Sequence, residues 1–255
     1  MDFSRLTINR IRKETDRFSI LEFEDGHGIA YEAGQYLTLV MQSGSEEIRR
    51  SYSIISAPGL DEPLAIGVQR IDNGFFSRML ADRAKAGDQL TTTGAGGFFT
   101  LPENSASYQQ AFFFAAGSGI TPVYSLIKTA VHFHPHLHVV LIYSSASQER
   151  TIFYEEIKNL HLLFNDRFKL QFLFSNHPRL AEARLNKESL ALLLKQYAKA
   201  GLEQTLFYIC GPEAYMRMCT YGLQEAGLAQ ARIRTENFAI GPKPARKCWR
   251  DFSNM

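Results

Sequence analysis

The sequence has few residues that could form disulfides or a metal site. Its three cysteines are widely separated, and an odd count does not suit a disulfide framework; they are Cys210, Cys219 and Cys248. Four histidines alternate with other residues from His132 to His138, a pattern typical of an exposed loop that leads into a strand. We therefore predict a reduced, cytoplasmic protein without a metal centre.

Long apolar runs and an excess of one charge are also absent. No apolar run reaches the roughly 18 residues that a membrane-spanning helix needs. Residues 1–18 carry charges throughout and have no apolar centre, so they do not resemble a signal peptide. Lys and Arg number 28 against 26 Asp and Glu, a net charge of +2, which is too balanced for a nucleic-acid binder. We expect no membrane insertion and no nucleic-acid partner.

The 255 residues, 45% of them hydrophobic, are enough for two domains with different patterns. Up to about Leu101, apolar residues alternate in short stretches separated by glycine-rich breaks, which predicts an antiparallel β-barrel. Beyond that point, apolar strands alternate with helical segments, which predicts a parallel α/β domain. We place the first domain at 1–104, the second at 105–238, and a basic tail or linker remnant at 239–255.

A glycine turn follows the first strand of the second domain. Gly117 and Gly119 separate the apolar run 111–116 from a predicted helix beginning near Pro122. Free amides at a helix N-terminus attract a pyrophosphate, and glycines let a ligand approach the backbone. A tight structural turn remains the alternative.

The first domain contains a second possible phosphate site. Along the predicted strand Arg50-Ser51-Tyr52-Ser53, the arginine and tyrosine share one face. Arginine can bind phosphate, and tyrosine offers a flat surface to a flavin. Gly74 and Ser77 open a predicted helix in the segment Gly74-Phe75-Phe76-Ser77, with an N-capping serine as the structural alternative.

Together these segments resemble the ferredoxin–NADP reductase family, and most closely the reductase components of phenylacetyl-CoA oxygenase and related oxygenases. The resemblance spans roughly residues 3–238. It rests on six ordered signals: 50–53, 74–77, the turn Gly94-Ala95-Gly96-Gly97-Phe98-Phe99, 117–122, Cys210-Gly211-Pro212 and Glu236-Asn237-Phe238.

The resemblance implies an FAD-binding barrel followed by a nucleotide-binding α/β domain. Arg50 would contact the FAD pyrophosphate, Tyr52 would lie against the flavin, and Ser53 would sit near flavin N5. The other implied cofactor-binding residues are Ser51, Gly74, Phe76, Ser77, Gly117, Gly119, Thr121, Pro122, Ser144, Arg150, Cys210, Gly211 and Pro212.

Cys210 and two residues near the end of the resemblance would complete the catalytic set with Tyr52 and Ser53. Cys210 would lie beside the nicotinamide, Glu236 would join it, and Phe238 would cover the flavin. The structural alternatives are a buried, inert thiol for Cys210 and a core residue in an edge strand for Phe238.

Two departures from the family's pattern bear on the cofactor and the partner. Relatives often have Gly-Asn-Arg where this sequence has Ser144-Ser145-Ala146, so Arg150 or Arg184 would have to bind a 2′-phosphate; we expect NADPH, with NADH possible. The oxygenase reductases continue into an iron–sulfur domain with four cysteine ligands, which this sequence lacks. Either the one-electron carrier is a separate protein or the sequence is a piece of a longer one.

The function implied is a flavin-dependent NAD(P)H reductase that passes single electrons to a ferredoxin, a flavodoxin or an oxygenase component. One alternative is a non-catalytic flavin-binding subunit of a larger electron-transfer complex. Another is an interaction module that binds no flavin, which the intact segment 50–53 disfavours.

Overall fold

The computed structural model describes residues 3–43, 46–179 and 183–238. Its first half is an antiparallel barrel of six strands in the order β4-β3-β6-β1-β2-β5. A bridge between Ile54 and Ile66 joins the two ends of this sheet, which confirms the predicted barrel. The strands are β1 (Ser4–Thr15), β2 (Phe18–Phe23), β3 (Tyr36–Ser43), β4 (Glu46–Ser53), β5 (Ala65–Gln69) and β6 (Gln89–Gly96).

A short helix, α1 (Phe75–Asp82), connects β5 to β6. Phe76 and Leu80 on its buried side pack into the barrel core with inward residues of the strands, such as Leu37. The helix begins at Phe75, and Gly74 rather than Ser77 is its N-cap. The N-capping alternative for Ser77 is therefore wrong.

The second half is a parallel sheet with helices on both faces, as predicted. Its five strands lie in the order β11-β10-β7-β8-β9. The strands are β7 (Gln110–Ala116), β8 (His138–Ser145), β9 (Phe168–Phe174), β10 (Thr205–Cys210) and β11 (Ile233–Glu236), and the helices are α2 (Ile120–Phe133), α3 (Tyr154–Leu163), α4 (Lys187–Tyr197) and α5 (Glu213–Glu225).

Burial on both faces explains why the strands of this sheet have continuous apolar sequences. Phe113 faces α2 and α3, whereas Phe112 and Phe114 face α4 and α5. The strand order reverses between β7 and β10. In parallel sheets of this type, ligands bind at the carboxyl ends of the strands beside such a reversal.

One hydrophobic cluster of the described residues spans both halves. Phe18 and Phe99 of the barrel belong to the cluster that lies between the sheet and α2. Two contacts from α2 reinforce this junction: Ser125 Oγ donates to the Ser56 carbonyl at 2.6 Å, and the buried Lys128 pairs with Glu62 at 2.5 Å. The carboxyl ends of the parallel strands are thereby held against the barrel.

Within the described ranges, no helix is long and apolar enough to cross a membrane. The same residues contain no group of three His, Cys, Asp or Glu side chains placed to hold a metal ion. The predicted tail at 239–255 lies outside the described residues.

Candidate functional site

The first cluster lies on β4, where Arg50 and Tyr52 share one face and are half-buried. The Tyr52 ring packs against Phe76 of α1, with 6.0 Å between the ring centroids. Burial raises the pKa of the Tyr52 hydroxyl well above its ordinary value, and the nearby Arg50 charge partly opposes this shift. The tyrosine therefore stays neutral and offers a flat surface beside a cation.

The two serines of this segment point to the other face of β4. Ser51 is exposed, and its hydroxyl lies 3.2 Å from Thr38 Oγ1 of β3. Ser53 is buried and pairs in register with Tyr36, which also pairs with Gly96 of β6. The serine predicted to lie near flavin N5 therefore stands beside a tyrosine at the end of three adjacent strands.

The start of α1 lies close to this cluster through Phe76. Gly74 is its N-cap without a side-chain capping bond, so the first amides of the helix lack intrahelical partners. Ser77 is buried, and its hydroxyl donates to the Gly74 carbonyl and accepts from the Ile71 amide, both at 3.2 Å. A Cβ on Gly74 would lie 2.5 Å from Ser77 Oγ, so this loop requires glycine.

The donors of this first cluster fit the pyrophosphate of FAD. Arg50 Nη1 donates to the Arg49 carbonyl at 2.6 Å, and within the described ranges no carboxylate forms an ion pair with Arg50. A half-buried cation and an uncapped helix N-terminus are each suited to an anion, and the contact between Tyr52 and Phe76 joins the strand and the helix that carry them. The neighbouring Tyr52 supplies a ring on which an aromatic group can pack.

The second cluster is the turn between β7 and α2. Gly117 has a φ of +55°, and the space that its side chain would occupy is open. A Cβ on Gly119 would instead lie 2.2 Å from the Cys210 carbonyl oxygen and 2.7 Å from the Gly211 amide nitrogen. Gly117 thus leaves room for a ligand, whereas Gly119 lets two turns at the ends of β7 and β10 pack backbone against backbone.

Side chains hold this turn from three directions. Thr121 is buried, and its hydroxyl donates to the Ser118 carbonyl at 2.9 Å. Its methyl group faces β5, where a Cβ on Gly67 would approach it to 2.8 Å. Tyr143 of β8 donates to the Gly117 carbonyl at 3.1 Å. Pro122, which follows Thr121, is buried in the first turn of α2.

Cys210 and Glu236 end β10 and β11 and pair with each other in register. Cys210 is fully buried, and burial together with the nearby Glu236 carboxylate raises the pKa of its thiol. Burial also raises the pKa of Glu236 itself. Because only a thiolate is an effective nucleophile, the neutral Cys210 is not placed for covalent chemistry.

The residues that follow Cys210 lead directly into α5. A Cβ on Gly211 would lie 2.9 Å from the Ala116 side chain, so this glycine keeps the ends of β7 and β10 close. Pro212 is the exposed N-cap of α5. Both residues therefore line the carboxyl edge beside the strand-order reversal.

Ser144 lies at the end of β8, next to Ala116 in register. Its buried hydroxyl has no hydrogen-bond partner among the described residues, and neither has the buried hydroxyl of Tyr215 in the first turn of α5. The two hydroxyls lie within reach of each other, and the Tyr215 hydroxyl also lies beside the Cys219 thiol. Because protein atoms enclose both oxygens, the open space for a ligand at this edge lies at Gly117. Arg150 is exposed on the connection that follows β8.

Comparison with protein families identifies both halves. An oxidoreductase FAD-binding domain matches residues 6–101, and an oxidoreductase NAD-binding domain matches residues 113–220. The chain therefore belongs to the oxidoreductases that combine an FAD-binding and an NAD-binding domain. The expected resemblance and the two-domain fold are thereby confirmed.

Relatives within this family include reductase components of oxygenases. The glycine betaine monooxygenase reductase subunit of Pseudomonas aeruginosa is 30% identical over 84% of this chain, which spans 57% of that protein's length. One component of the 1,2-phenylacetyl-CoA epoxidase of Escherichia coli is 28% identical over 92% of this chain, which spans 68% of that protein. A ferredoxin–NADP reductase from Neisseria gonorrhoeae, solved with FAD and NADP, has the same fold at 23% identity, with a TM-score of 0.80 over 94% of this chain and all of that one.

Two phenylalanines of the segments that carry the resemblance are exposed. Phe98, in the turn that follows β6, is 96% exposed. Phe238 follows the end of β11 and is 42% exposed. The alternative of a core phenylalanine in an edge strand is therefore wrong, and its role over the flavin stays a prediction.

Sequence reasoning missed two tyrosines that the family fold brings to the site. Tyr36 stands between Ser53 and Gly96, a neighbourhood set by strand register. Tyr215 lies three residues beyond Pro212, in the helix that the Cys210-Gly211-Pro212 segment opens. The position of Tyr215 in the first turn of a helix at a ligand-binding edge was a usable signal, whereas strand register could not be obtained from the sequence.

Proposed function

We propose that this chain is an FAD-dependent NAD(P)H reductase that takes a hydride from the nicotinamide and delivers single electrons to an acceptor protein. The single observation that carries the proposal is a juxtaposition. The barrel carries the cluster at Arg50, Tyr52 and Gly74, and a hydrophobic cluster joins the barrel to the domain that carries the open turn at Gly117; both domains match the family models.

Arg50, Gly74 and Ser77 would hold the FAD pyrophosphate, with Tyr52 and Ser53 against the ring. The carboxyl edge at Gly117, Ser144 and Cys210-Gly211-Pro212 would hold the nicotinamide nucleotide. Bound FAD supplies the conversion of a two-electron hydride into single electrons, chemistry that belongs to the cofactor. The chain orients the two ligands and excludes water through the buried residues of the junction.

Each catalytic residue has a limited part in this proposal. Tyr52 provides a neutral packing surface, and Ser53 provides a hydroxyl. Cys210 provides an uncharged thiol behind the nicotinamide position, Glu236 sets the polarity of that edge, and Phe238 covers the ring. No proton transfer is required of any of them for the hydride step.

We further propose FAD and NAD(P)H domains at 1–104 and 105–238, a division supported by family matches that end at 101 and begin at 113. NADPH is the proposed donor, with NADH as the alternative, because the exposed Arg150 follows β8. The acceptor is a ferredoxin, a flavodoxin or an oxygenase component. The buried free thiols of Cys210 and Cys219 support a reducing, cytoplasmic location.

An anaerobic absorbance titration of the FAD-reconstituted protein with NADPH and with NADH tests this function. Bleaching of the flavin by one nucleotide at near-stoichiometric amounts would establish hydride transfer and identify the donor. Turnover with a one-electron acceptor by the isolated chain would exclude a non-catalytic subunit. A protein that cannot take up FAD, or whose flavin neither nucleotide reduces, would refute the proposal.

A further inference from the structure

The far end of β1 makes a polar contact with the nucleotide-binding half. Glu14 Oε1 accepts the backbone amide of Phe153 at 3.0 Å, and Glu14 Oε2 accepts from Arg12 Nη1 at 2.7 Å. Arg12 Nη1 also donates to Glu156 Oε1 at 3.0 Å. The Glu14 side chain is 10% exposed, so these bonds lie in a largely dry setting.

Phe153 is an unusual N-cap for α3. Among the described residues other than glycine, it alone has a positive φ, at 59°. Its ring is buried between Phe18 of the barrel, 5.9 Å away, and Tyr124 of α2, 4.5 Å away. Phenylalanine has no side-chain oxygen for capping, and the left-handed backbone is unfavourable for it, so other contacts must hold this residue in place.

Glu14 supplies what the local sequence would otherwise provide. In a capping box, the residue at the third helical position reaches back to the amide of the N-cap. Glu156 occupies that position in α3, but it pairs with Arg12 instead. The carboxylate of Glu14, from the other domain, bonds the Phe153 amide in its place and brings a negative charge to the helix N-terminus.

The segment held in this way begins at the predicted nucleotide edge. Between Ser144 and Phe153 the chain carries Arg150, and the Thr151 hydroxyl donates to the Ser147 carbonyl at 2.8 Å. This compact connection is fixed at one end by β8 and at the other by Phe153. Loss of the hydrogen bond between Glu14 and the Phe153 amide would therefore release the connection at its Phe153 end.

We propose that Glu14 is a positioning residue of the FAD domain that fixes the β8–α3 connection in the geometry that binds the nicotinamide nucleotide. This inference rests on the proposed function. Glu14 contacts neither cluster directly and acts through Phe153. Its effect falls on nucleotide affinity, while the FAD cluster at Arg50 and Gly74 lies elsewhere in the barrel.

The test compares Glu14→Ala, Glu14→Gln and the control Glu22→Gln, whose carboxylate pairs with the exposed Arg10 on the neighbouring strand. Hydrogen exchange of the Phe153 amide is measured in the FAD-loaded protein without nucleotide. We expect about tenfold faster exchange in Glu14→Ala, a smaller change in Glu14→Gln, whose amide oxygen still accepts, and none in the control. Unchanged exchange in Glu14→Ala would overturn the proposal.

The same proteins are then titrated with NADP⁺ and NAD⁺, followed by the flavin absorbance. We expect the nucleotide Kd of Glu14→Ala to rise about tenfold and its FAD affinity to stay within about twofold of the wild type. Equal losses for FAD and nucleotide, or no loss for nucleotide, would overturn the positioning role. A wild-type protein that binds neither nucleotide would refute the proposed function, and the exchange result would still show whether Glu14 holds α3.

Discussion

The two candidate phosphate sites of this chain are built from different groups. In the barrel, a half-buried cation, Arg50, lies on β4, whose Tyr52 packs against Phe76 of the uncapped helix α1. In the parallel domain, the turn at Gly117 offers backbone and open space, and its neighbour Gly119 is pressed against Cys210. We expect that replacing Arg50 removes the charge of the first site and leaves the fold of the barrel intact. A change at Gly119 would instead disturb the packing between the ends of β7 and β10.

The largest expected effect comes from filling the space at Gly119. In Gly119→Ala, the new Cβ would lie 2.2 Å from the Cys210 carbonyl, so one of the two turns must move. We expect the free energy of unfolding to fall by about 3 kcal/mol and nucleotide binding to be lost. Urea unfolding and the anaerobic titration measure the two effects.

Gly117→Ala is the matched control for this prediction. The Cβ meets open space there, but a φ of +55° is unfavourable for alanine by about 1–2 kcal/mol. We expect a folded protein with weakened nucleotide binding. A Gly119→Ala protein as stable as Gly117→Ala would show that the second site does not depend on the contact between the two turns.

The next effect separates the charged site from the backbone site. In Arg50→Ala, the loss of a charged hydrogen-bond donor should raise the FAD Kd about 30-fold, the equivalent of about 2 kcal/mol, with little change in the fold. Fluorescence of released FAD measures the affinity. Arg49→Ala is the control, since Arg49 is exposed on the opposite face and pairs with Glu47. Equal weakening of FAD binding in both variants would mean that Arg50 contributes only positive charge to this region and makes no specific contact with FAD.

Local patterns predicted the strands of this chain better than its junction. The apolar run 111–116 lies in β7 and the predicted strand 50–53 lies in β4, because a continuous apolar run and alternation are local signals. The approach of Gly67 to Thr121 and of Gly119 to Cys210 depends on residues far apart in sequence. The same limit hid Glu14, whose partner Phe153 lies 139 residues away.

The sequence predicted the parts of the candidate site in which a short motif forms a single turn or a helix start. Gly117 proved to be the open position of its turn, but Gly119 has a packing role that the motif alone does not reveal. Gly74 rather than Ser77 caps α1, since both residues suit a helix start and only the backbone decides between them. The burial of the Ser144 hydroxyl near Tyr215 depends on tertiary packing, which the local sequence does not reveal.

A cysteine substitution tests whether the second site acts on the reaction or only on the core. In Cys210→Ala, we expect the hydride step to slow about tenfold, near 1.4 kcal/mol, because the surface behind the nicotinamide position changes. Anaerobic stopped-flow absorbance measures the step. Cys219→Ala is the control, because Cys219 is equally buried but lies on α5, in the hydrophobic cluster that does not contain Cys210. Similar losses of stability in both, without a slower step in Cys210→Ala, would return Cys210 to the role of an inert core thiol.

The smallest expected effect concerns pH, to which the two sites should respond differently. The barrel site contains a guanidinium, whereas the nucleotide edge contains the carboxyl group of Glu236, whose pKa is raised by burial. A raised pKa means that the folded state binds this proton more tightly than the unfolded state, so the contribution to stability is present at low pH and is lost as pH rises through the folded-state pKa.

Glu236→Gln should therefore be slightly more stable than the wild type at pH 8, within about 0.5 kcal/mol, and no more stable near pH 4. Urea unfolding across this range measures the difference. Thr235→Ala on the same edge strand is the control, because Thr235 is exposed and carries no titratable group. A difference that grows as pH falls would mean that the folded state stabilises the Glu236 carboxylate. The nucleotide edge would then hold a favourable charge, like the barrel site, and the contrast between a charged site and a neutral one would fail.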